Sequence, residues 1–582
     1  MDLRLMLDRP TEAERSAVDD LLGPEEGFDG RVVFGGRAAR QRRHLLLPAL
    51  HAVQDAAGSV SRGALAYICE RLTVPPAEAY GVATFYALFD TDGPGGPSIH
   101  VCDDIVCAQY GAEDLCAALD ASGTVYERSP CLGQCDRAPA AMFHQPGIGY
   151  GNAAPVTPSS FGAPTFDELP PGLVNQDREE LTLLRRIGVV DPSSLDGYLE
   201  TGGFETLAKA RAMGPEAVIA ALKTSGLRGR GGAAFPIGLK WEGVREARGG
   251  DKYVIANGDE SEPGTFKDRL LMEGDPFALV EAMALYGYAT GAGKGFIYVR
   301  GEYPTAEKRL ENAIAQTVGA GLIGDGFDLE VRRGAGAYIC GEETALFASI
   351  EGHRGEPRQK PPFPTQSGVF GKPTGINNIE TLLAALEVIA RGGEAFAAVG
   401  TEQSTGPKLF CVSGAVARPG VYEVPFGTTL RALLALAGGI RDGGDLGAVL
   451  MGGAAGVFAD QSALEVPLTF EDTSAAGTTL GSGAIIFFDD QTDFGGVLGR
   501  IARFFRDESC GQCVPCRIGT VRQEEALARL RAHRPLGSVS EERRRLDDLA
   551  VVMTDASICG LGQTAASAVQ SAMKLGLPGV PA

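Results

Sequence analysis

Apolar positions recur at helical spacing over residues 44–56 and 62–71, Pro75-Pro76 interrupts them, and 78–89 takes the pattern up again. Residues 1–95 therefore read as an N-terminal helical region. Then the period shortens. Ser98-Ile-His-Val-Cys102 alternates as a strand does, and 111–119 returns to helix. This mixed segment is expected to run over 96–150. From Gly151-Asn-Ala-Ala-Pro155 to Leu169-Pro-Pro-Gly172 the chain is rich in Pro, Gly, Ser and Thr without apolar periodicity. That composition predicts a linker over 151–175 between two fused units. Residues 176–405 alternate between helical and strand-like stretches. Tyr253-Val-Ile-Ala256 and Gly295-Phe-Ile-Tyr-Val299 are short apolar runs on either side of a helical stretch at 276–289. This is α/β patterning. A compact α+β module follows at 406–490, with a strand at 408–413, a turn at Pro419-Gly420 and a helix at 430–437. Residues 491–582 are mainly helical. The whole is a multidomain α/β and α+β chain without internal repeats.

Composition narrows the functional classes. The chain has 582 residues and a formal charge of -21, which disfavours nonspecific nucleic-acid binding. No apolar run approaches the roughly 20 residues that span a bilayer, so no direct membrane insertion is expected. The stretch Met1-Asp-Leu-Arg-Leu-Met-Leu-Asp8 is too short and too acidic for a signal peptide. A cytoplasmic location is the expectation.

Cysteine spacing says most. Cys510, Cys513 and Cys516 form C-x2-C-x2-C, and Cys559 supplies a fourth thiol from a distant segment. A triplet plus a singleton suits a [4Fe–4S] cluster. Zinc, the alternative, usually takes two C-x2-C pairs. Cys102 with Cys107 and Cys131 with Cys135 form two pairs, suited to gripping the two irons of a [2Fe–2S] cluster. Cys69, Cys116, Cys340 and Cys411 lie in apolar runs and read as buried packing residues.

Three Gly-rich stretches fall in the α/β unit. In Ser225-Gly-Leu-Arg-Gly-Arg-Gly-Gly-Ala-Ala-Phe-Pro-Ile-Gly-Leu-Lys-Trp241, glycines free backbone N–H groups to turn toward an anion, with Arg228, Arg230 and Lys240 nearby. It matches neither the P-loop nor the dinucleotide fingerprint. Asn257-Gly-Asp-Glu-Ser-Glu-Pro-Gly-Thr-Phe-Lys-Asp268 places Asp259, Glu260 and Glu262 after a strand, where α/β ligands sit. Carboxylates there suit ribose hydroxyls or a flavin edge and repel an extra phosphate. Arg332-Arg-Gly-Ala-Gly-Ala-Tyr-Ile-Cys-Gly-Glu-Glu-Thr344 is followed by Lys360, Phe363 and the pair Asn377-Asn378. Each stretch alone could be a solvated turn.

At these motifs the chain, from about residue 40, resembles a fusion of the 24-kDa-type and 51-kDa-type NADH dehydrogenase subunits of respiratory complex I. It resembles still more the fused diaphorase subunit of soluble NAD-dependent formate dehydrogenases, and that of NAD-reducing hydrogenases. The resemblance implies FMN and NAD in the large unit and a thioredoxin-like [2Fe–2S] domain. It also implies a β-grasp-like module at 406–490 and a helical bundle for the [4Fe–4S] cluster. Carried over by position, FMN would meet Gly229, Gly231, Lys240, Asn257, Asp259, Glu260, Tyr338, Gly341, Glu342, Glu343, Asn377, Asn378 and Thr381. NAD would meet Phe235, Glu262, Lys360 and Phe363. The acidic set Glu260, Glu262 and Glu343 would disfavour NADP. Ala234, Ile237 and Ser261 depart from the family's usual Gly, Thr and Gly, and Ala234 adds a methyl where a permissive backbone is expected.

No side chain need act as nucleophile or general base, because the cofactors carry the hydride chemistry. The sequence holds no recognisable molybdopterin-type domain and no nickel-binding cysteine set. The chain is therefore expected to be one part of a larger enzyme, and the resemblance implies a molybdenum- or tungsten-containing formate dehydrogenase subunit as its partner. The hydrogenase diaphorase and the complex I module are the near alternatives, and Gly560-Leu-Gly-Gln-Thr564 looks closer to the soluble enzymes. A flavin-less iron–sulfur docking subunit is the alternative of another class.

Overall fold

The computed structural model describes residues 8–23, 42–93, 95–161 and 176–580, with Phe166, Glu168, Leu169 and Val174 between the last two stretches. Helices Glu12–Leu22, Leu46–Ala57, Arg62–Leu72 and Pro76–Ala83 build the first part. Thr11 and Ser61 cap two of them by accepting from the Glu14 and Ala64 N–H groups. Pro76 opens the fourth helix rather than breaking one, the position where a missing N–H costs nothing. The helix expected over 78–89 ends at Ala83. Residues 87 and 88 instead donate their N–H groups to the carbonyls of Gly336 and Ala335. Tertiary pairing with the third Gly-rich stretch outcompetes helix continuation there.

A four-stranded sheet of order β2-β1-β3-β4 follows, from β1 (Ser98–Cys102), β2 (Glu127–Ser129), β3 (Ala141–Gln145) and β4 (Gly149–Ala153). Strand β4 takes residues 151–153, which the composition had given to the linker. Gly151 pairs with Phe143 in register, so sheet extension overrides turn-like composition. The rest of the expected linker lies partly outside the described residues, as do residues 1–7 of the N-terminal stretch.

The large unit holds β5 (Tyr253–Gly258), β6 (Lys294–Val299), β7 (Asp328–Arg333) and β8 (Thr374–Asn378), all parallel, in the order β7-β6-β5-β8. The order reverses between β5 and β8, where Ala256 and Asn257 lie beside Asn377 and Asn378. A crevice beyond the carboxyl ends of such a pair is the usual ligand site. Helix Pro276–Thr290 is buried almost all round, which explains its continuous apolar sequence. The next module is a five-stranded mixed sheet of order β10-β9-β13-β11-β12, from β9 (Pro407–Gly414), β10 (Gly420–Pro425), β11 (Leu446–Met451), β12 (Val457–Ala459) and β13 (Ala484–Asp489). Helices Phe494–Asp507, Val514–Arg531 and Val539–Ala556 dominate the remainder. Among the described residues no helix is long and apolar enough to cross a membrane.

Candidate functional site

The reversal between β5 and β8 opens into a cleft of about 760 Å3, within the usual range for ligand pockets. Every residue put forward for FMN lines it, as do Phe235, Glu262 and Lys360 from the NAD set. Phe363 does not. Phe363 is 53% exposed and Phe235 49% exposed, with Lys240 Nζ 5.8 Å from the centroid of the Phe235 ring.

The first Gly-rich stretch forms a closed loop, with Gly229 N–H donating to the Phe235 carbonyl at 2.9 Å. A Cβ on Gly231 would sit 3.0 Å from Asn378 Cβ. The loop thus runs against the start of helix Ile379–Arg391, whose N-cap is Asn378. Arg230 N–H donates to Thr381 Oγ1 at 2.8 Å. Lys240 Nζ donates to the Ile376 carbonyl at 3.0 Å, and burial lowers its pKa. A helix N-terminus, a glycine loop and a shielded ammonium together favour an anion such as a phosphate. Ala234 has φ +52°, a left-handed conformation that favours the family's usual glycine. Ser261 is buried, with its hydroxyl 3.5 Å from Asp259 Oδ1, and Ile237 fills core at the start of helix Ile237–Glu246.

The acidic residues divide by what already holds them. Glu260 accepts from Asp268 and Arg269 N–H at 3.0 and 2.9 Å, capping helix Lys267–Gly274. Glu342 caps helix Glu343–Ile350 through Thr344 and Ala345 N–H. Glu343 and Glu342 both pair with Lys360. Glu262 accepts from Tyr338 Oη at 2.5 Å and Ala455 N–H at 2.7 Å, and burial pushes its carboxyl up to about 7. These carboxylates are bound within the protein rather than free for ribose. Asp259 differs. Burial holds its pKa well above the usual range, and its Oδ2 has no hydrogen-bond partner among the described residues. A buried carboxyl oxygen without a partner on the wall of a cleft is open to a hydrogen bond with the polar edge of a ligand.

The cysteine quartets flank this cleft. Cys102, Cys107, Cys131 and Cys135 are all buried and unbridged, with Cys131 and Cys135 Sγ 3.4 Å apart. Gly133 N–H points at Cys131 Sγ from 3.4 Å. Cys510, Cys513, Cys516 and Cys559 line one apolar space, which shares Ile339, Ile558, Cys559 and Leu561 with the cleft wall. Among the described residues no three His, Cys, Asp or Glu side chains converge on a single-ion site. Each quartet offers four thiols without disulfide partners, as an iron–sulfur core requires, and the C-x2-C-x2-C triplet favours that core over zinc for the second quartet. Cys69, Cys116, Cys340 and Cys411 are buried.

Sequence reading missed the cleft wall supplied by the α+β module, Gly452, Ala455, Thr479, Gly481 and Ser482. Paired glycines at the ends of β11 and before β13 were the available signal. It also missed Arg300 and Tyr303, which carry no motif.

Comparison with known proteins follows the same division. Residues 222–387 match the Nuo51 FMN-binding domain and 496–575 the NADH-ubiquinone oxidoreductase-F iron-sulfur binding region. Residues 36–156 match the thioredoxin-like [2Fe-2S] ferredoxin, and 409–454 the SLBB domain. The chain is 43% identical to an F-type NADH-quinone oxidoreductase subunit of Rhizobium meliloti (strain 1021), over 68% of this chain and 95% of the relative. It is 42% identical to a subunit of an NADP-reducing hydrogenase of Solidesulfovibrio fructosivorans, over 67% of this chain and 80% of that one. The crystal structure of an NAD+-reducing [NiFe]-hydrogenase in the air-oxidized state superposes with a TM-score of 0.81 at 32% identity, over 93% of this chain and 94% of that one.

Proposed function

The chain belongs to the family of F-type NADH-quinone oxidoreductase subunits and their hydrogenase relatives, an NAD-dependent flavin and iron–sulfur oxidoreductase, and we propose that it is the NAD(H)-facing subunit of a formate dehydrogenase complex. The observation that carries the electron-transfer part of the reading is the shared wall of Ile339, Ile558, Cys559 and Leu561 between the cleft and the C-terminal quartet. The cleft residues would hold FMN, which would supply hydride exchange with nicotinamide and one-electron exchange with iron–sulfur centres.

The chain's own residues bind and orient. Gly229, Gly231 and Lys240 take the phosphate end beside helix Ile379–Arg391, and Asp259 takes a ring edge. Phe235 and Phe363 offer stacking faces to the dinucleotide, with Lys360 near its phosphates. Cys102, Cys107, Cys131 and Cys135 hold [2Fe–2S], and Cys510, Cys513, Cys516 and Cys559 hold [4Fe–4S]. Preference for NAD over NADP rests on the acidic lining as a whole, because Glu260 and Glu262 are already engaged by protein donors.

The formate assignment rests on the motif resemblance and on the lack of a recognisable donor-activating centre in the sequence. The match to the hydrogenase structure over nearly the whole chain favours a second reading, the diaphorase subunit of an NAD-reducing hydrogenase. The purified chain should oxidise NADH with ferricyanide and should not reduce NAD with formate. A molybdenum- or tungsten-bearing subunit should restore formate-dependent NAD reduction. Formate turnover by the chain alone would overturn this division of labour, and restoration only by a nickel-bearing partner would establish the second reading. Denatured protein should release a fluorescent flavin, which a flavin-less docking subunit would not.

A further inference from the structure

Arg300 follows β6 directly and is 3% exposed. Its Nη1 donates to the Glu260 backbone carbonyl at 2.8 Å, and its Nη2 to the Cys131 backbone carbonyl at 2.7 Å. One guanidinium therefore grips the floor of the nucleotide cleft and the ligand loop of the first quartet. Glu302 Oε1 accepts from the same Nη2 at 2.6 Å, while Glu302 Oε2 has no hydrogen-bond partner among the described residues. The Tyr303 ring centroid lies 5.1 Å from the guanidinium carbon, and Tyr303 is fully buried. The surroundings are shielded from water, so these charges act at low local dielectric.

We propose that Arg300 is a positioning residue that fixes the [2Fe–2S] ligand loop on the cleft and raises that cluster's reduction potential, with Glu302 as the opposing charge that limits the effect. The proposal rests on the assignment of Cys102, Cys107, Cys131 and Cys135 as the cluster ligands. Reduction adds one electron, and so one negative charge, to the core, with no bond made or broken. A cation one peptide away from a ligand favours the reduced form, and a carboxylate beside it opposes that form. Outer charges and hydrogen bonds are established levers on such potentials.

The test is a mediated potentiometric titration of the whole, cluster-loaded chain, followed by electron paramagnetic resonance. Arg300→Gln should lower the reduced-to-oxidised ratio of [2Fe–2S] at fixed potential at least tenfold, about 59 mV for a one-electron couple. Arg300→Lys should restore part of it. Glu302→Gln should move the ratio the other way, and the [4Fe–4S] signal should titrate unchanged in all three. A purely structural role would not give opposite signs, so shifts in the same direction, or none, overturn the inference. If Arg300→Gln does not retain the cluster, the sign of the Glu302→Gln shift decides alone. Cys131→Ser is the separate control. A retained [2Fe–2S] signal there would refute the ligand assignment, whereas its loss with an unmoved Glu302→Gln potential would refute only the role of Arg300.

Discussion

Glu262 joins three parts of the chain, since its own loop, Tyr338 and Ala455 meet at one carboxylate. Its folded pKa, raised by burial to about 7, lies above the ordinary carboxylate value. The protonated form is therefore favoured in the fold, and the stability it contributes is complete below about pH 4.5 and lost as pH rises through about 7. The destabilisation caused by Glu262→Gln should accordingly shrink between pH 5 and pH 8, which paired thermal melts of the loaded chain would show. A penalty that grows with pH would mean that the carboxylate is ionised in the fold. Cys559 and Cys513 make a second comparison. Cys513 lines only the cysteine space, whereas Cys559 also faces the cleft. Cys513→Ser should lose [4Fe–4S] iron and partner-linked electron flow while flavin content and NADH–ferricyanide activity persist. Cys559→Ser should, in addition, loosen the flavin, measured as release on gel filtration. The thiols were legible in the sequence because metal chemistry demands their residue type at a given spacing. Arg300 was not, because its partners come from segments about 40 and 170 residues away that only the tertiary fold assembles.

Among elements, the ligand loop after Cys131 is tightly constrained. Gly133 has φ +68°, and a Cβ there would lie 2.2 Å from Tyr303 Oη. Gly133→Ala combines a left-handed penalty with overpacking against a buried ring, about 2–5 kcal/mol together. The variant should unfold the [2Fe–2S] unit at lower temperature or denaturant and lose its iron first. An unchanged midpoint would place Tyr303 elsewhere. The same packing logic explains which strands were readable. β5 and β6 are apolar runs and stand out in the sequence. β8, Thr-Gly-Ile-Asn-Asn, is polar because it ends in the cleft, and its Gly375 exists beside Tyr286, whose hydroxyl would lie 2.1 Å from an added Cβ. Functional strands that carry ligand groups look like loops to a hydrophobicity pattern.

At the scale of the molecule, the N-terminal units, which carry the first quartet, and the unit that forms the cleft are bound by more than the peptide chain. Asp136 pairs with Arg269 at 2.6 Å, Asn152 Nδ2 donates to the Glu302 carbonyl at 2.9 Å, and Arg333 clasps Asp55 at 2.9 and 3.0 Å. The modular organisation was visible in the change of period along the sequence, whereas this docking surface was not, because its residues are scattered and mostly charged. The covalent join has a consequence for assembly. A covalent join makes the association of the two units intramolecular, so the stoichiometry is fixed at one to one and dilution cannot part them. The docking contacts are thereby relieved of providing affinity and need only provide alignment. Cutting the chain within residues 162–175 should leave NADH–ferricyanide activity intact at micromolar protein. Stepwise dilution should then separate the halves on an analytical column, at a concentration that measures how much of the union the contacts hold and how much the tether does.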